Sequence, residues 1–187
     1  VAAVARIDPS AADETTRRVL AGALVDVRPA VRVAAATSLG ALTSLPDDLQ
    51  ASLSLSLADA DSSVRRAATA TIASSWRLGP AAKPLLPALR GIAADADLAN
   101  SSPDLVVGAL RSLGAIDPLD PGTRATLRSA LQSRSATLDM KRAALAGLSR
   151  LAGPTSAERA AVADLASDRT LAPLVRAILD RPSWQPR

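Results

Sequence analysis

Five stretches of this chain can be laid over one another without a gap, and that self-similarity constrains the fold more than any other feature. They are Val31-Arg-Val-Ala-Ala-Ala-Thr-Ser-Leu39, Val64-Arg-Arg-Ala-Ala-Thr-Ala-Thr-Ile72, Leu105-Val-Val-Gly-Ala-Leu-Arg-Ser-Leu113, Met140-Lys-Arg-Ala-Ala-Leu-Ala-Gly-Leu148 and the shorter Val175-Arg-Ala-Ile-Leu179. Their first residues are 33, 41, 35 and 35 positions apart, within the range of repeats built from helical pairs. The longer second interval falls where Asp95 to Pro103 reads as a loop insertion. Registration extends beyond the apolar positions. Pro29, Pro103 and Pro173 stand two residues before the aligned first position, where the opening turn of a helix has no use for the missing N–H. Ser62 and Leu138 share that column. One residue earlier, Asp61, Ser102 and Thr137 can cap the exposed N–H groups, whereas Arg28 and Ala172 cannot.

A second amphipathic segment precedes each aligned one; we call the first helix of a pair A and the aligned helix B. The A segments run from Ala11 to Val25, Asp47 to Leu57, Ala81 to Ala94, Thr123 to Gln132 and Ser156 to Ala166. Their leucines recur at helical spacing, as in Leu49, Leu53 and Leu57. Pro46, Gly79-Pro80, Pro118 to Gly122 and Gly153-Pro154 separate the units. The expectation is one repeat domain over 1–187, with units over about 11–45, 46–78, 80–117, 121–152 and 155–181 and a tail at 182–187. Leu39, Ile72, Leu113 and Leu148 share one column and are expected in the core.

Composition agrees with ten short helices in five pairs. Ala and Leu dominate, Phe and Tyr are absent, and the only aromatics are Trp76 and Trp184. Sheets favour β-branched and aromatic side chains, while Ala and Leu give up little entropy in a helix. The fold class is therefore all-α.

Composition also restricts chemistry. Without Cys or His, the chain has no thiolate nucleophile, no Cys-ligated zinc, no imidazole base and no metal-ligating imidazole. Glu14 and Glu158 are the only glutamates. The paired acids Asp47 and Asp48, Asp59 and Asp61, and Asp95 and Asp97 lack the spaced ligands and closing Glu of a calcium loop, and read as turn and capping residues. No phosphate loop, dinucleotide fingerprint or nucleophile elbow occurs. No catalytic residue, metal site or cofactor is expected, and no small-molecule substrate. No apolar run approaches the roughly 20 residues of a bilayer-spanning helix. Val1 is not an initiator methionine, so the expectation is a removed leader or a section of a longer protein, and the compartment stays open between cytoplasm and export.

The pattern of helical pairs resembles the HEAT-like repeat family from about Ala11 to Arg181. The most specific match is an Asp six residues before an Arg, present as Asp26 with Arg32 and Asp59 with Arg65. Asn100 and Val106 replace the pair in the third unit; Ser135 with Lys141 and Thr170 with Arg176 replace it in the fourth and fifth. Pro87 resembles the proline that kinks A helices in many such units, and Gly79-Pro80-Ala-Ala-Lys-Pro resembles a repeat entry of bacterial members. The resemblance implies a right-handed α-α superhelix with A helices on the convex side and B helices on the concave side. It also implies a structural ladder through Asp26, Arg32, Asp59 and Arg65 that weakens after the second repeat.

Such arrays work through their surface. The net charge is +4, and the B segments carry Arg32, Arg65, Arg66, Arg77, Arg111, Lys141, Arg142, Arg150 and Arg176 with no acid expected before Asp180. The A segments mix Asp13, Glu14, Asp47, Asp48, Glu158 and Asp164 with their cations. Lys141 and Arg176 share the ladder column with Arg32 and Arg65, so these four read as structural. Arg66, Arg77, Arg111, Arg142 and Arg150 are the candidates for partner contact, against the plain alternative of a solvated face. Trp76, four residues after Ile72, is expected in the core. Trp184 lies outside any helical pattern and has two readings, a cap folded over the last repeat or an anchor for a partner.

The leading expectation is a non-catalytic interaction scaffold or accessory subunit that binds other protein chains bearing an acidic patch. Nucleic-acid binding through the basic B face is the alternative, weakened by modest net charge and scarce aromatics. The resemblance also extends to phycobilin lyases and DNA glycosylases, but the missing His, Cys and Tyr set an enzyme last.

Overall fold

The computed structural model describes residues 14–42 and 45–185 and contains eleven α-helices and no strand among them. They are α1 (Glu14–Leu24), α2 (Pro29–Leu39), α3 (Asp47–Leu55), α4 (Ser62–Ala73), α5 (Leu86–Ala94), α6 (Ala96–Ser101), α7 (Pro103–Ile116), α8 (Pro121–Gln132), α9 (Leu138–Leu148), α10 (Ser156–Ala163) and α11 (Ala172–Leu179). A 3₁₀ segment, Ser75–Leu85, joins α4 to α5, and shorter 3₁₀ turns follow α3 and α11. The start of the first A segment, Ala11 to Asp13, lies outside the described residues.

Helix starts follow local chemistry. Asp61 accepts from the Ser63 and Val64 N–H groups, Asp120 from Thr123 and Thr137 from Met140. Thr155 and Glu158 close a reciprocal capping box at α10. Ser102 occupies the N-cap of α7 without a side-chain hydrogen bond, so the expected cap is not made there. At α11 the cap position falls on Leu171, not Ala172.

Two local expectations are overturned. Asp95 to Pro103 is not a loop: Asp95 accepts from the Asp97 and Leu98 N–H groups, both at 2.9 Å, and nucleates α6. The segment from Ala81 to Ala94 is not one helix kinked at Pro87. Its first part is 3₁₀, α5 begins at Leu86, and Pro87 sits in the opening turn, where it removes no helical hydrogen bond. Gly79, at φ 56°, is the one described residue in the left-handed region and turns the chain into that segment.

Consecutive helices pack together, α1 on α2, α5 on α7, α8 on α9 and α10 on α11. Each also touches the corresponding helix of the next unit: α2 packs on α4, α4 on α7 and α7 on α9. On the other layer α1 packs on α3, α3 on the Ser75–Leu85 segment, α5 on α8 and α8 on α10. Leu39, Ile72, Leu113 and Leu148 are all buried between the layers, as the repeat column predicts.

The two layers are joined differently. Along the A helices, Arg17 meets Asp48 at 3.0 Å, Gln50 Nε2 donates to the Ala81 carbonyl at 3.0 Å, and Arg90 meets Asp120 at 2.8 Å. Arg124 holds Glu158 by two bonds of 2.6 and 2.5 Å. The B helices use one column of small residues, Ser38, Thr71, Ser112 and Gly147. Thr71 donates to the Ala36 carbonyl and Ser112 to that of Ala73, both at 2.9 Å. Between α7 and α9, Gly114 and Gly147 lie backbone against backbone: a Cβ on Gly114 would come within 3.0 Å of the Gly147 Cα.

Candidate functional site

The residues of the expected ladder make one rung between units. Arg32 donates to both carboxylate oxygens of Asp59 at 2.8 Å each, and to the Asp26 carbonyl at 2.8 Å. Arg65 repeats the second contact, donating to the carbonyls of Asp59 and Ala60 at 2.7 and 2.9 Å, but meets no carboxylate. Asp26 turns to Arg28, whose guanidinium and N–H hold its carboxyl down to about 2. Hydrogen bonds from Arg32 and from the Asp61 N–H hold Asp59 below the usual carboxylate range. Lys141 and Arg176 make no side-chain hydrogen bond or ion pair among the described residues. Of the paired acids, Asp61 and Asp95 serve as caps and Asp47 and Asp48 lie in the first turn of α3, while Asp48 and Asp59 also pair with arginines of the preceding unit.

A second set of arginine contacts was not foreseen. Arg77 donates to the Gly40 carbonyl at 3.2 Å, Arg150 to Gly114 at 3.0 Å and Arg181 to Ser149 at 2.7 Å. Each reaches back to a carbonyl at the C-terminal end of an earlier B helix, where a cation is favourable. Nothing in a one-dimensional pattern marks these residues, because Arg77 and Arg181 lie beyond the ends of their helices.

The outward stripe of the B helices occupies the third, seventh and eleventh positions of the aligned register. Arg66 and Arg142 share the third, Arg111 stands at the seventh and Arg150 at the eleventh, and all four are exposed. Arg66 and Arg111 have no hydrogen bond or ion pair among the described residues. Arg142 pairs with Asp139 at 3.4 Å, with both side chains in solvent. The expected absence of acids before Asp180 does not hold, since Asp104 and Asp139 fall in the first turns of α7 and α9.

Trp76 is 51% exposed, against the expectation of a core position. Helical spacing does not continue past Ala73, where α4 stops, and the 3₁₀ turn leaves Trp76 facing solvent. The Arg77 guanidinium carbon lies 5.9 Å from the Trp76 ring centroid, within cation–π range. Trp76, Arg111 and Arg150 wall a trough of about 310 Å3, floored by Gly114, Ala146 and Gly147.

Trp184 is 1% exposed and belongs to the core. Its turn is tied down by Arg181 on Ser149 and by Gln185 Nε2 on the Leu179 carbonyl at 2.7 Å. Of its two readings the structure supports the fold-back, which takes Trp184 off the candidate surface. Among the described residues no group of three or more metal-ligating side chains assembles, and no helix is long and apolar enough to cross a membrane. No protein-family model matches the chain, and no curated protein is significantly similar to it.

Proposed function

We propose that this chain is a non-catalytic interaction module, an array of HEAT-like helix pairs whose B face receives the acidic surface of another protein. The observation that carries the reading is the outward stripe of Arg66, Arg111, Arg142 and Arg150, of which three have no counter-ion among the described residues and the fourth, Arg142, has only a solvent-exposed partner. Unneutralised cations on adjoining helices add their fields and steer an acidic partner in a salt-dependent way. The packing supports the array. The closest packing among the described residues is within a unit and between adjoining units, as in repeat proteins, and short side chains draw the B helices together while long ion pairs space the A helices. That difference favours curvature with the B layer inside. The chain's lack of Cys and His supports a role without catalysis.

The test is charge reversal of Arg66, Arg111 and Arg142 together, with binding compared across salt. Proteins retained by the wild-type chain at low salt are expected to be acidic and to be lost by the triple variant. Random-sequence duplex DNA is expected to bind weakly to both. Submicromolar duplex binding that falls steeply with salt and vanishes in the variant would replace this reading with a nucleic-acid one.

A further inference from the structure

We infer that the trough walled by Trp76, Arg111 and Arg150 is a recognition pocket for an extended segment of a partner protein, one carrying an Asp or Glu two positions from a branched aliphatic residue. The inference rests on the protein-binding reading above and assigns it a pocket and a ligand chemistry.

The argument starts from what the trough offers. Arg111 is exposed and has no hydrogen bond or ion pair among the described residues. One N–H of Arg150 is committed to the Gly114 carbonyl, which fixes the direction of the guanidinium and leaves its other donors free. Two guanidinium groups lining one space, with no carboxylate among its lining residues, recognise an anion by charge-assisted hydrogen bonds. The remaining large side chain is different. Trp76 presents an aromatic surface half open to water, and Arg77 packed against the ring restricts its motion. A large aromatic that is held in place and left exposed provides apolar contact area at small entropic cost.

The floor decides between kinds of ligand. Gly114, Ala146 and Gly147 project at most a methyl group, so a chain entering the trough approaches the helices closely. At about 310 Å3 the space lies at the lower end of small-ligand pockets, enough for two side chains from one face of an extended strand, those of residues i and i+2. A nucleic-acid duplex would place phosphates against both arginines but, with its bases stacked inward, would bring no apolar group to Trp76. Anionic and apolar requirements met side by side are those of an acidic and an aliphatic residue two positions apart in a linear segment.

The probe is a library of random heptapeptides displayed on phage, panned on the whole chain with a Trp76→Ala variant as the subtraction target. Enriched sequences are expected to share an Asp or Glu two positions from Leu, Ile or Val. A synthetic peptide of the enriched sequence is then titrated while tryptophan emission is followed. Because Trp184 is buried and Trp76 is not, the long-wavelength emission belongs to Trp76. Docking is expected to shift it to shorter wavelength and to cut acrylamide quenching at least twofold. Arg111→Gln, an exposed position that leaves helix content intact, should weaken the peptide tenfold or more, as should replacing its acid by the amide. Arg66→Gln, outside the trough, should change affinity less than twofold. Absence of an enriched acid–aliphatic pair, an unmoved Trp76 emission, or equal binding of the amide peptide would overturn the assignment. So would duplex DNA that shifts Trp76 at micromolar concentration, or a shift that follows protein concentration alone. Loss of acidic partners in the charge-reversal variant alongside an inert Trp76 would leave the general reading standing and remove only the pocket.

Discussion

Along the A helices, neighbouring units are tied by long charged side chains, Arg17 to Asp48, Arg90 to Asp120 and Arg124 to Glu158. Along the B helices the ties are the hydroxyls of Thr71 and Ser112 and the bare backbone of Gly114 against Gly147. One layer neutralises much of its charge internally, and the other packs mainly without charge, with Arg32 on Asp59 as its ion pair between units among the described residues. Apart from Arg32, and from Arg65, Arg77, Arg150 and Arg181, which reach backbone carbonyls, the arginines of the B layer are left for the surface. The charge asymmetry between the faces follows from how each layer packs.

Substitutions at four positions sharpen or break this comparison. The largest effect is expected from Glu158→Ala on the A layer. Glu158 is 2% exposed, holds Arg124 and closes the cap of α10. Removing it strands a mostly buried guanidinium, which costs on the order of 3 kcal/mol, read from urea unfolding. A loss below about 1 kcal/mol, the scale of an exposed pair, would show that this pair is not a structural tie. The same pair predicts acid sensitivity. Burial pushes the Glu158 carboxyl up, but the hydrogen bonds from Arg124 and Thr155 outweigh it and hold it below the usual range. A depressed folded value gives stability that is complete above the unfolded pKa of about 4.3 and is lost as pH falls through the folded one. The thermal midpoint should therefore drop on acidification below about pH 4, and Glu158→Gln should flatten that slope.

Gly114→Ala probes the B layer. The new methyl meets the Gly147 Cα, a backbone atom that cannot swing aside, so the helices must separate at a cost of about 1–3 kcal/mol. An unchanged urea midpoint would mean that α7 and α9 have room to move, and the trough between them would lose its fixed width. Ser112→Ala removes one buried inter-helix bond and should cost about 1 kcal/mol. The smallest effect is expected from Asp48→Asn, whose partner Arg17 is itself partly in solvent; the urea midpoint should not move beyond error. A clear drop there would extend structural weight to the exposed A-layer pairs.

Much of the architecture was legible because burial leaves a period. Leu39, Ile72, Leu113 and Leu148 recur at the repeat spacing and all are buried. The small column through Thr71, Ser112 and Gly147 stood in the same aligned segments, but its meaning depends on how each helix is rotated about its axis. The ion pairs of the A layer were hidden for another reason. Arg124 and Glu158 are 34 residues apart on helices of unequal length, so no shared column connects them. Trp76 was misplaced because helical spacing was carried beyond the helix. The trough needed two chain segments at once: α7 and α9 set its floor, and the 3₁₀ turn after α4 supplies its aromatic wall.

The confinement of contacts to neighbouring units has a kinetic side. Ser112 and Ala73, which share the most distant of the side-chain hydrogen bonds described above, are 39 residues apart, and no closure of a longer loop is needed to bring such partners together. Chains whose contacts are local in sequence cross lower entropic barriers and fold faster than chains of equal length with remote pairings. On the array proposed above, folding nucleates in any well-packed unit and spreads in both directions. The α4, α7 and α9 stack, with the densest burial, is the natural starting point, while α1 has neighbours on one side only among the described residues. Hydrogen exchange should accordingly be graded along the chain, slow in α7 and fast in α1, in place of one global opening.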